Sequence, residues 1–274
     1  MAAPSLTVAI VTHAPDMHWL ARTLAYLAEA AHYAREQGTL GDTRLVIVDN
    51  GPEGLADDLA RLAAAALERA PGVTFEVASG QGNVGFARAN NLALERGTAD
   101  LHLILNPDVE MDTNALDAGL RYLAANAGVG VVTPAARHPD GRRQYLVKAM
   151  PTWGVLFLRA FAPSFVRGWF RAMLDAYEMR ERDWEREQCP VEIASGCFLL
   201  CRRAALDAVK GFDAGYFLYF EDFDLTLRLS KATRIAYVPA VRIVHHGGHA
   251  GSKGLRHVAL FARSASRFFR AHPG

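Results

Sequence analysis

Residues 101–108 read Leu-His-Leu-Ile-Leu-Asn-Pro-Asp, a short apolar segment that ends in a turn carrying a carboxylate. The apolar run Leu101–Leu105 predicts a buried strand, and the proline after it fixes the backbone of the turn. A carboxylate at such a strand end suits a hard divalent cation, because Mg²⁺ and Mn²⁺ favour oxygen ligands. The same residues are also typical of a plain turn after a strand, so this segment alone leaves both interpretations open.

Three further strands precede this segment, and a helical pattern separates each strand from the next. We predict strands at Leu6–Val11, Arg44–Val48 and Val73–Val77, and helices at Met17–Glu36, Leu55–Ala70 and Phe86–Arg96. Strands that alternate with helices indicate an α/β fold with a mostly parallel sheet and helices on both faces. Ligands of such sheets bind beyond the carboxyl ends of the strands. Residues that follow the four strands should therefore lie together at one edge.

The residues that follow the first three strands are Thr12-His13, Asp49-Asn50 and Ser79–Gly85. Asp49 can accept hydrogen bonds from a nucleobase or a ribose, or it can cap its own turn. Gly80–Gly85 matches the dinucleotide pattern G-x-G-x-x-G, but that fingerprint normally follows the first strand of the fold. An oxidoreductase function would depend on this motif alone, and it is therefore not favoured.

An acidic cluster beside aromatic residues stands out in the second half of the chain. Residues 211–228 read Gly-Phe-Asp-Ala-Gly-Tyr-Phe-Leu-Tyr-Phe-Glu-Asp-Phe-Asp-Leu-Thr-Leu-Arg, with a helix predicted at Asp222–Ser230. The helix dipole favours acidic residues at a helix N-terminus. In a partly desolvated cluster, burial and repulsion also raise a carboxyl pKa, and such a group can take a proton from a hydroxyl. Glu221 and Asp222 are therefore either capping residues or candidates for a general base.

Histidines follow another predicted strand, Val241–Val244. His245 can complete a metal site begun by Asp108, although lone histidines are more often structural or exposed. The spacing of the histidines at 245, 246 and 249 does not match a zinc site.

Composition restricts the class of protein. The 274 residues carry a net charge of +1, so no overall attraction to nucleic acid is expected, and the three cysteines fit a reducing cytoplasm rather than a disulfide framework. The N-terminal residues lack the pattern of a signal peptide, and no segment approaches the ~20 apolar residues that span a bilayer. We therefore expect a cytoplasmic protein that is at most peripheral to a membrane.

Seven segments of the chain share their order and spacing with one enzyme family. They are Val8–Thr12, Val48–Asn50, Gly82–Asn91, Leu105–Asp108, Ser195–Arg203, Gly211–Arg228 and 245–248. Together they resemble the family 2 inverting glycosyltransferases of GT-A fold, particularly the bacterial rhamnosyltransferase-like branch. The resemblance extends from about residue 6 to residue 252, and it implies a Rossmann-like central sheet with a fused acceptor-binding half.

The resemblance also implies a role for each matching position. The implied residues are Asp222 as general base with Glu221 beside it, Thr12, Asp49, Asn83, Gly85 and Asn106 for the donor nucleotide, Ser195 and Gly196 for the acceptor, and Asp108 and His245 for Mg²⁺ or Mn²⁺. The implied reaction moves a sugar, best matched by L-rhamnose, from a dTDP- or UDP-sugar to a glycan or lipid-linked acceptor. It proceeds with inversion, in the synthesis of bacterial cell-surface polysaccharide.

The expected organisation is a nucleotide-sugar-binding half at 1–115, an acceptor-binding and catalytic half at 116–252, and a basic amphipathic helix at 253–274. Met150–Arg171 and Leu255–Arg270 mix Arg with aromatic residues or Leu, and such segments either contact the cytoplasmic face of the inner membrane or pack on the core. Two other functions stay open, namely a nucleotidyltransferase and a non-catalytic carbohydrate-binding homologue. The first usually carries a basic, Gly-rich loop after its first strand, and the second would be expected to lose its acidic residues.

Overall fold

The computed structural model describes residues 2–51, 54–68, 70–247 and 255–273, without the side chains at 160, 161, 164, 255 and 256. The strands are β1 (Leu6–Thr12), β2 (Thr43–Asp49), β3 (Val73–Ala78), β4 (Leu101–Leu105), β5 (Val109–Met111), β6 (Val129–Arg137), β7 (Arg143–Gln144), β8 (Val147–Lys148), β9 (Gln188–Val191), β10 (Ile193–Ala194), β11 (Phe198–Arg202) and β12 (Arg234–His245). The helices are α1 (Met17–Glu36), α2 (Ala56–Leu67), α3 (Phe86–Arg96), α4 (Ala115–Ala125), α5 (Trp153–Phe161), α6 (Ser164–Trp169), α7 (Arg171–Tyr177), α8 (Arg203–Ala208), α9 (Glu221–Ala232) and α10 (Leu255–Ala271).

A mixed sheet of ten strands forms the centre of the described chain. Its main order is β3-β2-β1-β4-β11-β6-β12-β5, with β7 paired to β6 and β9 paired to β12. The strands β1 to β4 run parallel to one another, as the alternation of strands and helices predicts. Strand β11 lies between β4 and β6 and is antiparallel to both. The sheet thus joins strands from both sides of residue 115, and the division into two functional halves stays a prediction.

The register of the sheet brings the strand ends to one edge. Thr12 and Asp49, the last residues of β1 and β2, pair with each other, and β3 ends beside them. Leu105, the last residue of β4, pairs with Phe198, the first residue of β11. The expectation that the residues after the four strands share one edge is therefore confirmed.

Helices cover both faces of the sheet, which is also as predicted. Buried side chains of α1, α2 and α4 pack on one face, and those of α3, α8, α9 and α10 pack on the other: Leu20, Leu24, Leu59 and Leu120 belong to the first group, and Ala87, Leu206, Leu225 and Phe268 to the second. Each large aliphatic or aromatic side chain buried in this way contributes about 1.5–3 kcal/mol to stability. Both layers therefore hold the strand ends in place.

The second half departs from the sequence-based expectations in three places. The strand predicted at Ile193–Cys201 is divided into β10 and β11 by a turn at 195–197, because the peptide groups of this turn bond to other elements. Helix α4 was not anticipated. The segment Met150–Arg171 forms short helices that end and restart within a few residues. No helix in the described ranges is both long enough and apolar enough to cross a membrane.

Candidate active site

Two asparagines join the strand ends on the side of β1 and β2. The Asn50 amide donates to Asn83 Oδ1 at 3.1 Å, and Asn50 Oδ1 accepts the backbone N–H of Val84 at 2.9 Å. Asn83 Oδ1 also accepts the N–H of Gly85 at 3.1 Å. The N–H of Asn50 donates to the Thr12 carbonyl at 2.8 Å. The structure thereby brings Thr12, Asn83 and Gly85 together, three of the residues that the resemblance assigns to the donor.

Thr12 and Asp49 are buried in this edge. Thr12 has no exposed surface, and its hydroxyl lies 3.4 Å from the carbonyl oxygen of Val48. Asp49 is only 4% exposed, and one of its carboxylate oxygens accepts the N–H of Gly51 at 3.1 Å. This is the turn-capping contact that the sequence left as an alternative. In the protein alone both residues support the strand ends, and their contact with a nucleoside stays a prediction.

Gly85 allows α3 to approach the loop that precedes α9. Its φ of 86° is unfavourable for other residues, and a Cβ atom at this position would lie 2.6 Å from the carbonyl oxygen of Phe217. That carbonyl accepts the N–H of Phe86 at 2.8 Å, so it cannot move away freely. Close packing therefore requires glycine at this position.

We expect Gly85→Ala to lower the free energy of unfolding by about 2 kcal/mol or more, because steric overlap adds to the strain of the positive φ. Gly80→Ala is the matched control, since Gly80 has a similar φ of 88° but no atom within 4 Å of an added Cβ. Urea denaturation of both variants measures the difference. Equal losses of stability in the two variants would show that close packing at Gly85 is unimportant.

Asp108 and His245 lie next to each other, although they are far apart in the sequence. Asp108 Oδ1 is 3.4 Å from His245 Nε2, and the Asn106 amide nitrogen is 3.5 Å from the same ring nitrogen. The carbonyl oxygen of Asp108 also accepts the N–H of His246 at 3.0 Å. The structure thus brings together the two predicted metal ligands and Asn106.

Gln144 orients the His245 ring. Its Oε1 lies 3.1 Å from His245 Nδ1, and because an amide oxygen can only accept, Nδ1 is the donor of this hydrogen bond. His245 Nε2 is therefore the nitrogen that faces Asp108. A hydrogen-bond acceptor on the far nitrogen is the usual support of a metal-binding histidine. Sequence analysis missed Gln144, because its contact with His245 spans 101 residues of chain and leaves no local signal.

Ionisation of Asp108 and His245 is mutually favourable. Burial opposes the charged form of each, but the pKa of Asp108 is lowered overall by the hydrogen bond and charge of His245. The pKa of His245 is raised to about 10 by its contacts with Cys197 and Asp108, which together exceed the opposing effect of burial. Asp108 therefore stays ionised and available as an oxygen ligand.

The Asp108–His245 pair fits Mg²⁺ or Mn²⁺ bound together with a diphosphate. A cation that displaces the Nε2 proton of His245 would have one carboxylate and one imidazole as ligands, and such cations are commonly held by one or two carboxylates plus substrate phosphates. Within the described residues no group of three His, Cys, Asp or Glu side chains is placed to hold a metal. Substrate oxygens and water would therefore have to supply the remaining ligands.

Asp222 is held by backbone donors at the start of α9. Its Oδ2 accepts the N–H of Gly196 at 2.9 Å, and its Oδ1 accepts the N–H of Phe223 at 2.9 Å. A Cβ atom on Gly196 would lie 3.0 Å from the Asp222 Cβ, so glycine permits this close contact. Each carboxylate oxygen can still accept one further hydrogen bond, because an ionised carboxylate has about four acceptor positions.

The turn at 195–197 connects Asp222 to the predicted metal site through the backbone. Gly196 donates to Asp222, and the carbonyl oxygen of the next residue, Cys197, accepts the N–H of Asn106 at 2.9 Å. On the other side, the N–H of Ser195 donates to the carbonyl oxygen of Leu146 at 3.0 Å. The bonds of Gly196 and Cys197 therefore fix the position of Asp222 relative to the Asn106–Asp108 turn, and the bond of Ser195 anchors the turn between them to Leu146.

The two acids at the start of α9 have different environments. Tyr219 and Phe220 immediately before them have φ values of 72° and 65°, a strained backbone that costs about 1–3 kcal/mol per residue and is typical of functional sites. Burial and the charge of Asp222 raise the pKa of Glu221 to about 8, and Glu221 Oε2 has no hydrogen-bond partner. Burial also raises the pKa of Asp222, but its two backbone donors oppose this effect. Glu221 therefore keeps the proton, and Asp222 is the acid that ionises first.

Helix α10 holds the loop that leads into these acids. Phe268 is fully buried with its ring centroid 5.3 Å from that of Phe220, and Arg267 forms an ion pair of 2.7 Å with Asp213. The hydroxyl of Ser264 donates to a carbonyl oxygen of the same loop. Helix α10 therefore packs on the core, which is one of the two interpretations that the sequence allows for it. Helices α5 to α7, in contrast, present several exposed aromatic side chains.

A cavity of about 590 Å³ lies beside Asp222 and the metal pair. Ser195 and Phe223 form part of its wall, and His245 forms another part. Asp222 lies next to this wall, because it precedes Phe223 and accepts a hydrogen bond from the peptide group that follows Ser195. The predicted acceptor residues are thus beside the predicted general base.

Comparison with known proteins identifies relatives of this chain. The family model described as "Glycosyl transferase family 2" matches residues 18–209. The chain is 30% identical over 284 residues to the N-acetylglucosaminyl-diphospho-decaprenol L-rhamnosyltransferase of Mycobacterium tuberculosis, covering 96% of this chain and 83% of that protein. It is also 30% identical over 180 residues to the rhamnosyltransferase WbbL of Escherichia coli, covering 61% of this chain and 63% of that protein.

The fold has solved counterparts. A crystal structure of GalNAc-T7 with UDP, GalNAc and Mn²⁺ superimposes with a TM-score of 0.62 at 13% identity, over 98% of this chain. The chain spans about half of that protein, 48% of its length. At this identity the likeness shows the fold alone, and it confirms the GT-A architecture that the sequence resembles.

Proposed function

The chain belongs to glycosyl transferase family 2, and from this premise we propose that it transfers L-rhamnose from a nucleotide-diphosphate donor to a lipid-linked acceptor with inversion. One observation carries the proposal: Asp222, an ionisable carboxylate next to a cavity lined by Ser195 and Phe223, is fixed by the backbone to the turn that holds Asp108. The sugar is proposed because two relatives are named rhamnosyltransferases, one of them with an N-acetylglucosaminyl-diphospho-lipid acceptor in its name.

The proposed reaction is a single displacement. Asp222 accepts the proton of an acceptor hydroxyl while the oxygen of that hydroxyl forms a bond to the anomeric carbon of the donor sugar. The bond between this carbon and the donor diphosphate breaks, and its electron pair leaves with the nucleoside diphosphate. Attack from the face opposite the leaving group inverts the anomeric configuration. Ser195 and Gly196 border the acceptor, and Glu221 keeps its proton beside Asp222.

Asp108 and His245 are the residues that would hold the cation, with Gln144 orienting His245. A bound Mg²⁺ or Mn²⁺ neutralises negative charge on the leaving diphosphate. The donor nucleotide would lie along the edge formed by Thr12, Asp49 and the Asn83–Gly85 loop. Asn106 lies beside His245 and is proposed to contact the diphosphate. This placement follows the rule that ligands bind beyond the carboxyl ends of parallel strands.

The decisive experiment supplies purified protein with dTDP-rhamnose, Mg²⁺ or Mn²⁺, and N-acetylglucosamine linked by a diphosphate to a short polyprenyl chain. We expect dTDP release and a product whose mass is larger by one rhamnose unit, with the linkage inverted relative to the donor. A thermal-shift screen of other nucleotide sugars tests the donor, because a bound ligand raises apparent stability by mass action. Stabilisation by other nucleotide sugars but not by dTDP-rhamnose would reject rhamnose while leaving glycosyl transfer intact.

The two alternative functions are not favoured. The relatives transfer sugars, as their names state, which argues against a nucleotidyltransferase. A non-catalytic homologue would not need a carboxylate fixed by two backbone donors beside a cavity, as Asp222 is.

A peripheral contact with an anionic membrane forms part of the proposal. Helices α6 and α7 carry what we call the aromatic patch, which consists of Phe165, Arg167, Trp169, Phe170, Arg171 and Met173. Trp169 is 80% exposed and Phe165 is 66% exposed, in ring contact with each other. Aromatic side chains beside exposed arginines suit the interface of a bilayer with anionic headgroups, where a lipid-linked acceptor would reside.

We expect the double variant Phe165→Ser/Trp169→Ser to lower binding to vesicles of phosphatidylglycerol and phosphatidylethanolamine at least about fivefold, because two large rings leave the interface. Co-sedimentation measures the bound fraction. Phe75→Ser on β3 is the control, as Phe75 is also exposed but lies on the far edge strand of the sheet. Unchanged sedimentation of the double variant would exclude the aromatic patch as the contact.

A further inference from the structure

The cavity beside Asp222 has a basic lining. Four arginines and one lysine contribute to its wall, whereas Glu178 is the one carboxylate among its described lining residues. Two of these arginines, Arg142 and Arg143, pair with Asp140 and Glu185, neither of which lines the cavity. An excess of positive charge in a partly enclosed space favours an anionic ligand.

Three of the cations meet at Glu178. Arg159 donates to Glu178 Oε1 at 2.6 Å, and Arg180 donates to Glu178 Oε2 through two nitrogens, at 2.8 and 2.6 Å. The Lys148 ammonium lies 3.5 Å from Glu178 Oε1. Arg180 is further paired with Asp175 at 3.1 Å. A guanidinium has five N–H donors, so both arginines retain donors that Glu178 does not use.

Lys148 is largely removed from water, with 11% of its side chain exposed. Burial lowers the pKa of its ammonium to about 8, which still leaves it mostly charged at neutral pH. Burial would raise the pKa of Glu178, but the surrounding cations lower it to about 2. The cluster of Lys148, Arg159, Arg180 and Glu178, here called the cation cluster, therefore carries three positive charges and one negative charge.

The cation cluster is close to the general base. In the β8–β10 ladder Lys148 pairs with Ile193, two residues before Ser195. The ring of Tyr177 lies within cation–π distance of both Lys148 and Arg159, at 5.5 and 5.4 Å from its centroid. Burial raises the pKa of this tyrosine, and the negative charge of Asp222 adds to the effect, so Asp222 is near enough to Tyr177 to act on it electrostatically.

The cation cluster is also close to the aromatic patch. Arg159 lies on α5, and Glu178 follows the last residue of α7, while Phe170 and Met173 lie at the beginning of α7. Seven helical residues rise about 10 Å, so Glu178 and the beginning of α7 are separated by about that distance. The cation cluster therefore lies near both Asp222 and the aromatic patch.

We infer that the cation cluster binds the diphosphate of a lipid-linked acceptor, with Lys148, Arg159 and Arg180 contacting its phosphate oxygens. The acceptor sugar then reaches Asp222, and the lipid chain extends towards the aromatic patch. Guanidinium groups suit this role because they bind phosphate with paired hydrogen bonds. The inference rests on the proposed function, and it adds the residues that recognise the diphosphate of the acceptor.

The donor diphosphate is the other source of the same chemistry, but its proposed position is different. The donor edge consists of Thr12, Asp49 and the Asn83–Gly85 loop, and none of these residues lines the cavity. His245 lies where the two regions meet. We therefore assign the donor diphosphate to Asp108 and His245, and the acceptor diphosphate to the cation cluster.

The first test compares two acceptors that carry the same N-acetylglucosamine, one linked by a diphosphate to a polyprenyl chain and one an uncharged alkyl glycoside. We expect Arg159→Gln to raise the KM of the diphosphate acceptor about tenfold or more, because one charge-assisted contact is lost. The KM of the alkyl glycoside should stay within about twofold of the wild-type value. Arg61→Gln on α2, which removes the same charge far from the cavity, should change neither KM. Equal increases for both acceptors, or no increase for the diphosphate acceptor, would overturn the inference.

In Glu178→Gln we expect the KM of the diphosphate acceptor to change in the direction opposite to that in Arg159→Gln, which a merely structural role of the cluster would not produce. Removal of the carboxylate frees the three cations, so we expect a lower KM for the diphosphate acceptor and no change for the alkyl glycoside. A higher KM for the diphosphate acceptor in this variant would contradict phosphate binding by the cluster. Thermal melting of each variant confirms that it is folded at the assay temperature.

A binding measurement separates this inference from the proposed function. Farnesyl diphosphate is titrated into the protein by calorimetry in buffer with EDTA, so that no cation can recruit the diphosphate to Asp108. Wild-type protein should bind it more tightly than it binds farnesyl monophosphate, and Arg159→Gln should weaken binding about tenfold or more. Absence of binding would overturn the inference even if sugar transfer to the alkyl glycoside were observed. Intact binding without any transfer would instead reject the proposed reaction.

Discussion

Replacement of Asp222 by asparagine should lower kcat about 10³-fold or more while the Kd of the nucleotide sugar stays within about twofold. A general base contributes about 10²–10⁴ in rate, and an amide cannot accept the hydroxyl proton. Asparagine has nearly the same shape and can still accept the N–H of Gly196, so the fold should be preserved. Product formation by mass spectrometry and donor titration by calorimetry measure the two quantities. Near-normal turnover of the variant would exclude Asp222 as the base.

Glu221→Gln is the matched control for this variant. Glu221 is adjacent, buried and protonated at neutral pH, because burial and the charge of Asp222 raise its pKa to about 8. Glutamine reproduces the size and neutrality of that protonated acid, so we expect kcat to stay within about tenfold of the wild-type value. A loss as large as that of Asp222→Asn would reverse the assignment of the two acids.

The pH profile offers a second check on Asp222. Its pKa is raised by burial, against the opposing backbone donors, and the base is active only when ionised. The value of kcat/KM should therefore fall as the pH is lowered through this raised pKa, at a higher pH than for an ordinary exposed aspartate. An acidic limb at the ordinary position would show that Asp222 is not desolvated in the working enzyme.

Loss of the metal site is the other change with a large expected effect. Asp108→Asn should lower kcat/KM about 10²-fold or more, and EDTA should abolish the activity of the wild-type enzyme, because the leaving diphosphate then lacks charge neutralisation. Asp112→Asn is the control, since Asp112 is exposed and only four residues further along the chain. Calorimetric titration of Mn²⁺ in the presence of dTDP measures metal binding independently of turnover. Full activity in chelator would reject the metal role.

Gln144→Leu tests the support of the same site. Leucine leaves His245 in place but removes the acceptor of its Nδ1–H, so we expect Mn²⁺ affinity to fall about 10–100-fold. High Mn²⁺ concentrations should restore activity to this variant but not to Asp108→Asn. If Mn²⁺ affinity is unchanged, the ring orientation of His245 does not depend on Gln144.

The sequence predicts the first half of the fold well because its signals are local. The bounds predicted for α1, α3 and β4 agree with the structure, since apolar periodicity and a stop signal at or just after each end suffice to define them. In the second half, β10 and β11 depend on partners far along the chain. The turn between them is set by bonds to Leu146, Asn106 and Asp222, and a continuous apolar run gives no sign of it.

The residues of the candidate site likewise fall into those that the sequence can predict and those that it cannot. Asp108, Asp222 and His245 could be proposed from strand ends and a helix start, because topology alone brings such positions to one edge. Gln144 and the cation cluster could not, because Lys148 lies in β8, Arg159 in α5 and Arg180 in the loop after α7, and they meet at Glu178. Arg180 belongs to the charged run 178–187, and such a run is typical of a solvated surface.

The backbone bonds of the turn at 195–197 also bear on how this protein can diverge. The distance between the general base and the metal turn depends on the N–H of Gly196 and the carbonyl oxygen of Cys197, and not on the side chain of Ser195. Mutations that alter the Ser195 side chain can therefore change which acceptor fits while the bond-forming geometry is retained. We expect libraries randomised at Ser195 to yield enzymes with new acceptor preferences, and libraries randomised at Gly196 to yield few active ones.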